Sequence, residues 1–120
     1  MQRKSRPTVP VVAEDAYQLW LWLDAHVANL PAHVRAATGA RVLATVLDVL
    51  DLLLQVVYEP RGSTERPSLL RRANQRIALL RFLVRGLRDR QQLSLDQHAH
   101  VATKLDAIGR MVGAWTKSTS

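Results

Sequence analysis

VLATVLDVLDLLLQVVY, residues 42–58, is apolar except for Thr45, Asp48, Asp51, Gln55 and the hydroxyl of Tyr58. Together with Arg41, the first four are spaced by four, three, three and four residues, the signature of one narrow polar stripe along an α-helix. A surface helix needs only one apolar face, so a helix this apolar must be covered on more than one side. A chain of 120 residues has little material for that. The stretch therefore predicts a helical protein that associates with copies of itself.

Working outward, the flanks carry breaks. Leu30-Pro31 closes a helix over 14–28, marked by Tyr17, Trp20, Leu21, Asp24 and Val27, with Glu14 and Asp15 in its dipole-favoured first turn. Trp20 and Trp22 fall on different faces, so this helix buries two sides. The second helix runs from Ala32 or Ala40 to Tyr58, with Thr38-Gly39 as a candidate interruption. Glu59-Pro60-Arg61-Gly62-Ser63 is the main stop. A third helix is predicted from an N-cap at Ser68 to Asp89, with Leu69, Leu70, Ala73, Ile77, Leu80, Val84 and Leu87 as its core face. Ser94 and Gln97 form a capping box that opens a fourth helix, cored by Val101, Leu105, Ile108, Val112 and Trp115. Gly109 and Gly113, four apart, suit close helix packing within the chain. No strand-like alternation persists. The expected fold is all-α, an up-down-up-down four-helix bundle over 13–117, with a flexible basic tail at 1–12 and a polar tail at 118–120.

Charge is distributed unevenly. Seventeen Lys and Arg against ten Asp and Glu give +7, and fourteen of the cations are arginine. Residues 61–90 hold nine arginines against Glu65 and Asp89, so this quarter of the chain carries the whole excess. Arginine grips phosphate bidentately, and its concentration marks a surface for a polyanion or an acidic partner. Arg71, Asn74, Ala78, Arg81, Arg85 and Arg88 recur at helical spacing on one side of the third helix, while Arg72 and Arg76 form a second pair. Asp48, Asp51 and Asp106 are the alternative, structural partners for these arginines. Phe82, alone among them, reads as a core or interface residue rather than a base-stacking platform, since single-strand binders present several aromatics.

The sequence offers little for catalysis. It has no cysteine, so no disulfide, thiolate zinc site or thiol nucleophile, which fits a reducing cytoplasm. His26, His33, His98 and His100 make no HExxH pattern, and there is no Gly-rich phosphate loop or GxSxG elbow. Asp48 and Asp51 form a pair without a third ligand. We expect no enzyme activity, no metal and no cofactor. The apolar runs are too interrupted for a membrane span.

Three segments resemble known proteins. LPAHVRAATGAR (30–41) resembles the helix 1–2 connection of a bacterial four-helix-bundle superfamily that includes the proteins encoded by intervening sequences in large ribosomal RNA genes. LLRFLVR (79–85) and LDAIGRMVGAW (105–115) resemble the accessory variability determinant (Avd) proteins of diversity-generating retroelements. The resemblance spans roughly residues 14–117. It implies a barrel-like homopentamer of basic four-helix bundles, bacterial or phage-encoded. It further implies association with the element's reverse transcriptase and with RNA or DNA, in support of mutagenic cDNA synthesis from a template-repeat RNA. On that footing Arg71, Arg72, Arg76, Arg81, Arg85 and Arg88 are the expected nucleic-acid or polymerase contacts. Leu53, Val57 and Phe82 are the expected subunit contacts. A bundle scaffold of the ribosomal intervening-sequence type, without a polymerase partner, is the alternative reading.

Overall fold

The computed structural model describes residues 10–119, and every regular element among them is helical. Four long helices, α1 (Val11–Ala28), α2 (Ala40–Tyr58), α3 (Glu65–Asp89) and α4 (Leu95–Thr119), make up most of it. A helical turn, Ala32–Val34, and a π-helical segment, Arg35–Gly39, lead into α2. α1 packs on α2, α2 on α3, α3 on α4, and α4 back on α1, closing the predicted four-helix bundle. Leu23, Leu53, Leu80 and Leu105, one from each helix, are at most 1% exposed. No described helix is long and apolar enough to cross a membrane.

Helix ends depart from the sequence expectation in ways that packing explains. α1 begins at Val11, not Glu14, because Val12 and Ala13 are buried against the core. The expected tail over 1–12 therefore stops short of Val11, and its positions 1–9, with Arg3, Lys4 and Arg6, lie outside the described residues. α3 begins at Glu65 rather than after Ser68. Pro67 is accommodated in the first turn, where its missing N–H has no intrahelical partner to lose. Ser63 Oγ accepts the Glu65 N–H at 3.1 Å, and Arg66 Nη1 donates to the Val56 carbonyl at 2.7 Å, tying the start of α3 to the end of α2. α4 runs on through Ser118 to Thr119, so the polar tail reduces to Ser120, which lies outside the described residues. The capping box forms as expected: the Ser94 N–H donates to Gln97 Oε1 at 2.9 Å and the Gln97 N–H to Ser94 Oγ at 3.0 Å.

Two expectations for α2 need correction. Leu53 is fully buried in the bundle core, so it is a core residue and not a subunit contact. Thr45 is 3% exposed and leaves the polar stripe. Its hydroxyl donates to the Arg41 carbonyl at 2.7 Å, which removes the cost of burying it. The apolar circumference of α2 is largely covered by α1 on one side and α3 on the other. Ala44, Leu47 (42% exposed) and Tyr58 remain outside, and Leu43, Leu50, Leu54 and Val57 are half-buried.

At Thr38-Gly39 the chain bulges rather than breaks before α2. The Ala40 N–H donates back to the Arg35 carbonyl, a π-type bond, and the helix continues. A Cβ on Gly39 would lie 2.7 Å from Val27 Cγ1, whose side chain is buried at the end of α1. The missing side chain lets α1 and the start of α2 close together. An ordinary Gly→Ala change in a helix stabilises by about 1 kcal/mol. Here the overlap reverses the sign. Gly39→Ala should lower stability by about 1–3 kcal/mol in urea or thermal melts, and a rise would show that the junction has room.

Candidate functional site: an arginine-lined groove

The groove between α3 and α4 gathers the arginines that lie on one edge of α3. The turn joining these helices sets its upper end. The Gln92 N–H donates to the Leu87 carbonyl at 2.8 Å, and Gln91 adopts φ 62°, the left-handed conformation that closes a helix C-terminus. Buried Leu93 then anchors the chain before the capping box. This brings Arg88 alongside Ser94, Leu95 and Gln97 around an open cleft of about 640 Å³. Next down the groove, Arg81, Arg85 and His98 border a cleft of about 180 Å³. Below it, Arg81, Asp106, Gly109 and Arg110 border one of about 380 Å³.

Two carboxylates partly neutralise these cations. Arg81 Nη1 donates to Asp106 Oδ1 at 2.8 Å across the groove. Arg88 donates to Asp89 Oδ1 through Nη2 at 2.9 Å and Nε at 3.2 Å, while Arg85 Nε stands 3.8 Å from Asp89 Oδ2. All three pairs are solvent-accessible, so each contributes about 0–1 kcal/mol and is readily exchanged for another anion. The ion-pairing alternative is thus realised for Arg81 with Asp106. Phe82 is 68% exposed, which excludes a core role, and the Arg85 guanidinium lies 5.7 Å from its ring centroid.

The remaining expected arginines go elsewhere. Arg72 and Arg76 face Asp48 and Asp51 across the α2–α3 groove, beside a cleft of about 190 Å³, with no ion pair formed. Arg71 is exposed near the start of α3. Among the described residues, Arg71, Arg72 and Arg76 make no hydrogen bond or ion pair. Arg110 is inconspicuous in the sequence because it lies on α4, away from the arginine-dense segment. Only the α3–α4 register brings it to the groove. Gly109 and Gly113 do not support close helix packing. Arg81 Nη2 is the sole neighbour near a Gly109 Cβ, at 3.5 Å, and Gly113 faces open space.

Two of the histidines, His26 and His100, make contacts within the bundle. His26 Nε2 donates to the Gln92 carbonyl at 2.7 Å and its ring stacks on Trp22, while His100 lies tilted against the same indole, tying α1 to α4 and the turn. No described group of three His, Cys, Asp or Glu residues is placed to hold a metal. His98 lies in the groove, where burial and then the Arg88 charge lower its pKa from the ordinary value, with Asp89 opposing. The folded ring therefore resists protonation more than the unfolded one. Its contribution to stability is complete above pH ~6.5 and is lost as pH falls through the lowered midpoint. An NMR titration should place the His98 midpoint below 6.5, and Arg88→Gln should raise it. An unshifted midpoint in the parent protein would remove the groove's effect on this ring.

Comparison with known proteins adds the family. No curated protein and no solved structure matches the chain. A family model described as bAvd-like matches residues 11–119, from the first residue of α1 to the last of α4. Since that match covers the whole bundle, the chain belongs to the bAvd-like family and is an Avd-type protein.

Proposed function

We propose that this protein is a non-catalytic accessory subunit of a diversity-generating retroelement. In this reading it binds the element's reverse transcriptase and nucleic acid, and so supports mutagenic cDNA synthesis in the bacterial cytoplasm. The observation that carries the reading is the gathering of Arg81, Arg85, Arg88 and Arg110 along one groove of an Avd-type bundle. Arginines one helical turn apart present their forks about every 5.4 Å, a ladder on which successive phosphates can sit. The polymerase supplies the chemistry and the bundle supplies charge and shape.

The resemblance to Avd proteins also supports a homopentamer. Leu47, Leu54, Val57 and Tyr58 on α2 and Phe82 on α3, together with Val11, Tyr17 and Leu21 on α1 and Leu95 on α4, are apolar side chains left outside the core and available for subunit contacts. Five copies at +7 make a strongly cationic particle, which draws polyanions from a distance. Light scattering during gel filtration should give about five times the 13.5 kDa chain mass, and a monomer at micromolar concentration would refute assembly.

The nucleic-acid reading is tested by charge reversal in the groove. Arg85→Glu/Arg88→Glu should weaken binding of a single-stranded oligonucleotide tenfold or more, whatever its sequence. It should also flatten the log-affinity against log-salt slope by about 0.7 for each phosphate no longer neutralised. Arg72→Glu/Arg76→Glu, opposite Asp48 and Asp51, should have the smaller effect. Co-purification with a reverse transcriptase encoded beside the gene separates the retroelement role from that of a scaffold without a polymerase.

A further inference from the structure

Arg81 crosses the middle of the α3–α4 groove. Its Nη1 reaches Asp106 Oδ1 on α4 at 2.8 Å, and its Nη2 lies over Gly109. It borders the cleft that holds Arg85 and His98 and also the cleft that holds Gly109 and Arg110. One ion-paired side chain therefore separates two clefts of the same groove.

We propose that the Arg81–Asp106 pair is a releasable strap. A phosphate-bearing strand entering the groove takes Arg81 from Asp106, and the two clefts join into one cationic channel from Arg88 to Arg110. Asp106 is then the residue that sets the groove's affinity threshold. This rests on the reading of the groove as the nucleic-acid face.

Three features favour release. The pair is solvent-accessible at both ends, with the side chains 41% and 56% exposed, so water and salt already compete for it. Only Nη1 of the guanidinium donates to Asp106, whereas a phosphate can accept from two nitrogens of the fork. Arg110 stands one turn beyond Asp106 on α4 and borders the same cleft, so the carboxylate has a second cation to turn to when Arg81 leaves. A single small anion gains one such contact. A strand gains Arg81 together with Arg85 and Arg88, so the strap selects for polyanions.

The test compares Asp106→Asn with Asp24→Asn, an equal charge change at an exposed position on α1. Binding is measured by fluorescence anisotropy with a labelled deoxythymidine oligonucleotide and, in parallel, with inorganic polyphosphate. Asp106→Asn should bind both about two- to fivefold more tightly than the parent protein, the range set by an exposed ion pair. For the oligonucleotide, its salt slope should steepen by about 0.7, one further single-strand phosphate. Asp24→Asn should change affinity less, and the gain from Asp106→Asn should vanish in an Arg81→Ala background. Equal or weaker binding by Asp106→Asn, or a gain that persists without Arg81, overturns the strap while leaving the nucleic-acid reading intact. The expected pattern with polyphosphate but no binding of the oligonucleotide leaves the strap standing and overturns the nucleic-acid reading. Binding of neither probe overturns both.

Discussion

Burial of Val42, Val46, Val49, Leu53 and Val56 along α2 is the constraint on which the bundle depends. These side chains are at most 1% exposed, and they touch a helix on either side. Each fully buried residue of this size contributes about 1.5–3 kcal/mol by leaving water. To cover two sides of α2 the chain must bring α1 and α3 to it, and α4 then closes the ring. Gly39 is part of the same constraint, since the approach of α1 to the start of α2 leaves no space for a side chain there.

The core, in turn, dictates where charge can go. α3 gives one side to Leu70, Ala73, Ile77, Leu80, Val84 and Leu87, so its arginines are confined to the opposite arc and its two edges. The edges acquire different characters from their neighbours. Along α2, Arg72 and Arg76 meet Asp48 and Asp51, and charge is nearly balanced. Along α4, Arg81, Arg85 and Arg88 are joined by Arg110 against only Asp89 and Asp106. The α3–α4 groove therefore keeps a cationic excess. The Arg81 fork lies over Gly109 of α4, with Nη2 3.5 Å from where a Cβ would stand, at ordinary contact distance.

Much of this is legible in the sequence, and what is not has identifiable causes. The four helices and their core stripes follow from apolar periodicity. The Ser94–Gln97 capping box forms with both of its bonds, because it is a local motif that needs no tertiary partner. Helix starts are less visible. Nothing in the spacing announces that Val12 is buried, and Pro67 looks like a boundary although it is harmless within a first turn. Leu53 and Val57 share an apolar stretch, and only packing shows that the first is core and the second half-exposed. The arginine edge of α3 is readable from spacing within one helix. Its completion by Arg110, and the Arg81–Asp106 pair, depend on the register between two helices, which periodicity does not encode.

On the proposed reading, nucleic acid meets this Avd-type protein at the α3–α4 groove rather than at the α2–α3 edge. Arginine side-chain NMR during titration with a single-stranded oligonucleotide tests it most directly, because each Nε–Hε signal reports its own surroundings. The signals of Arg81, Arg85, Arg88 and Arg110 should shift together and saturate with one affinity, while those of Arg72 and Arg76 move little. Shifts concentrated on Arg72 and Arg76, with the groove arginines unchanged, would contradict it.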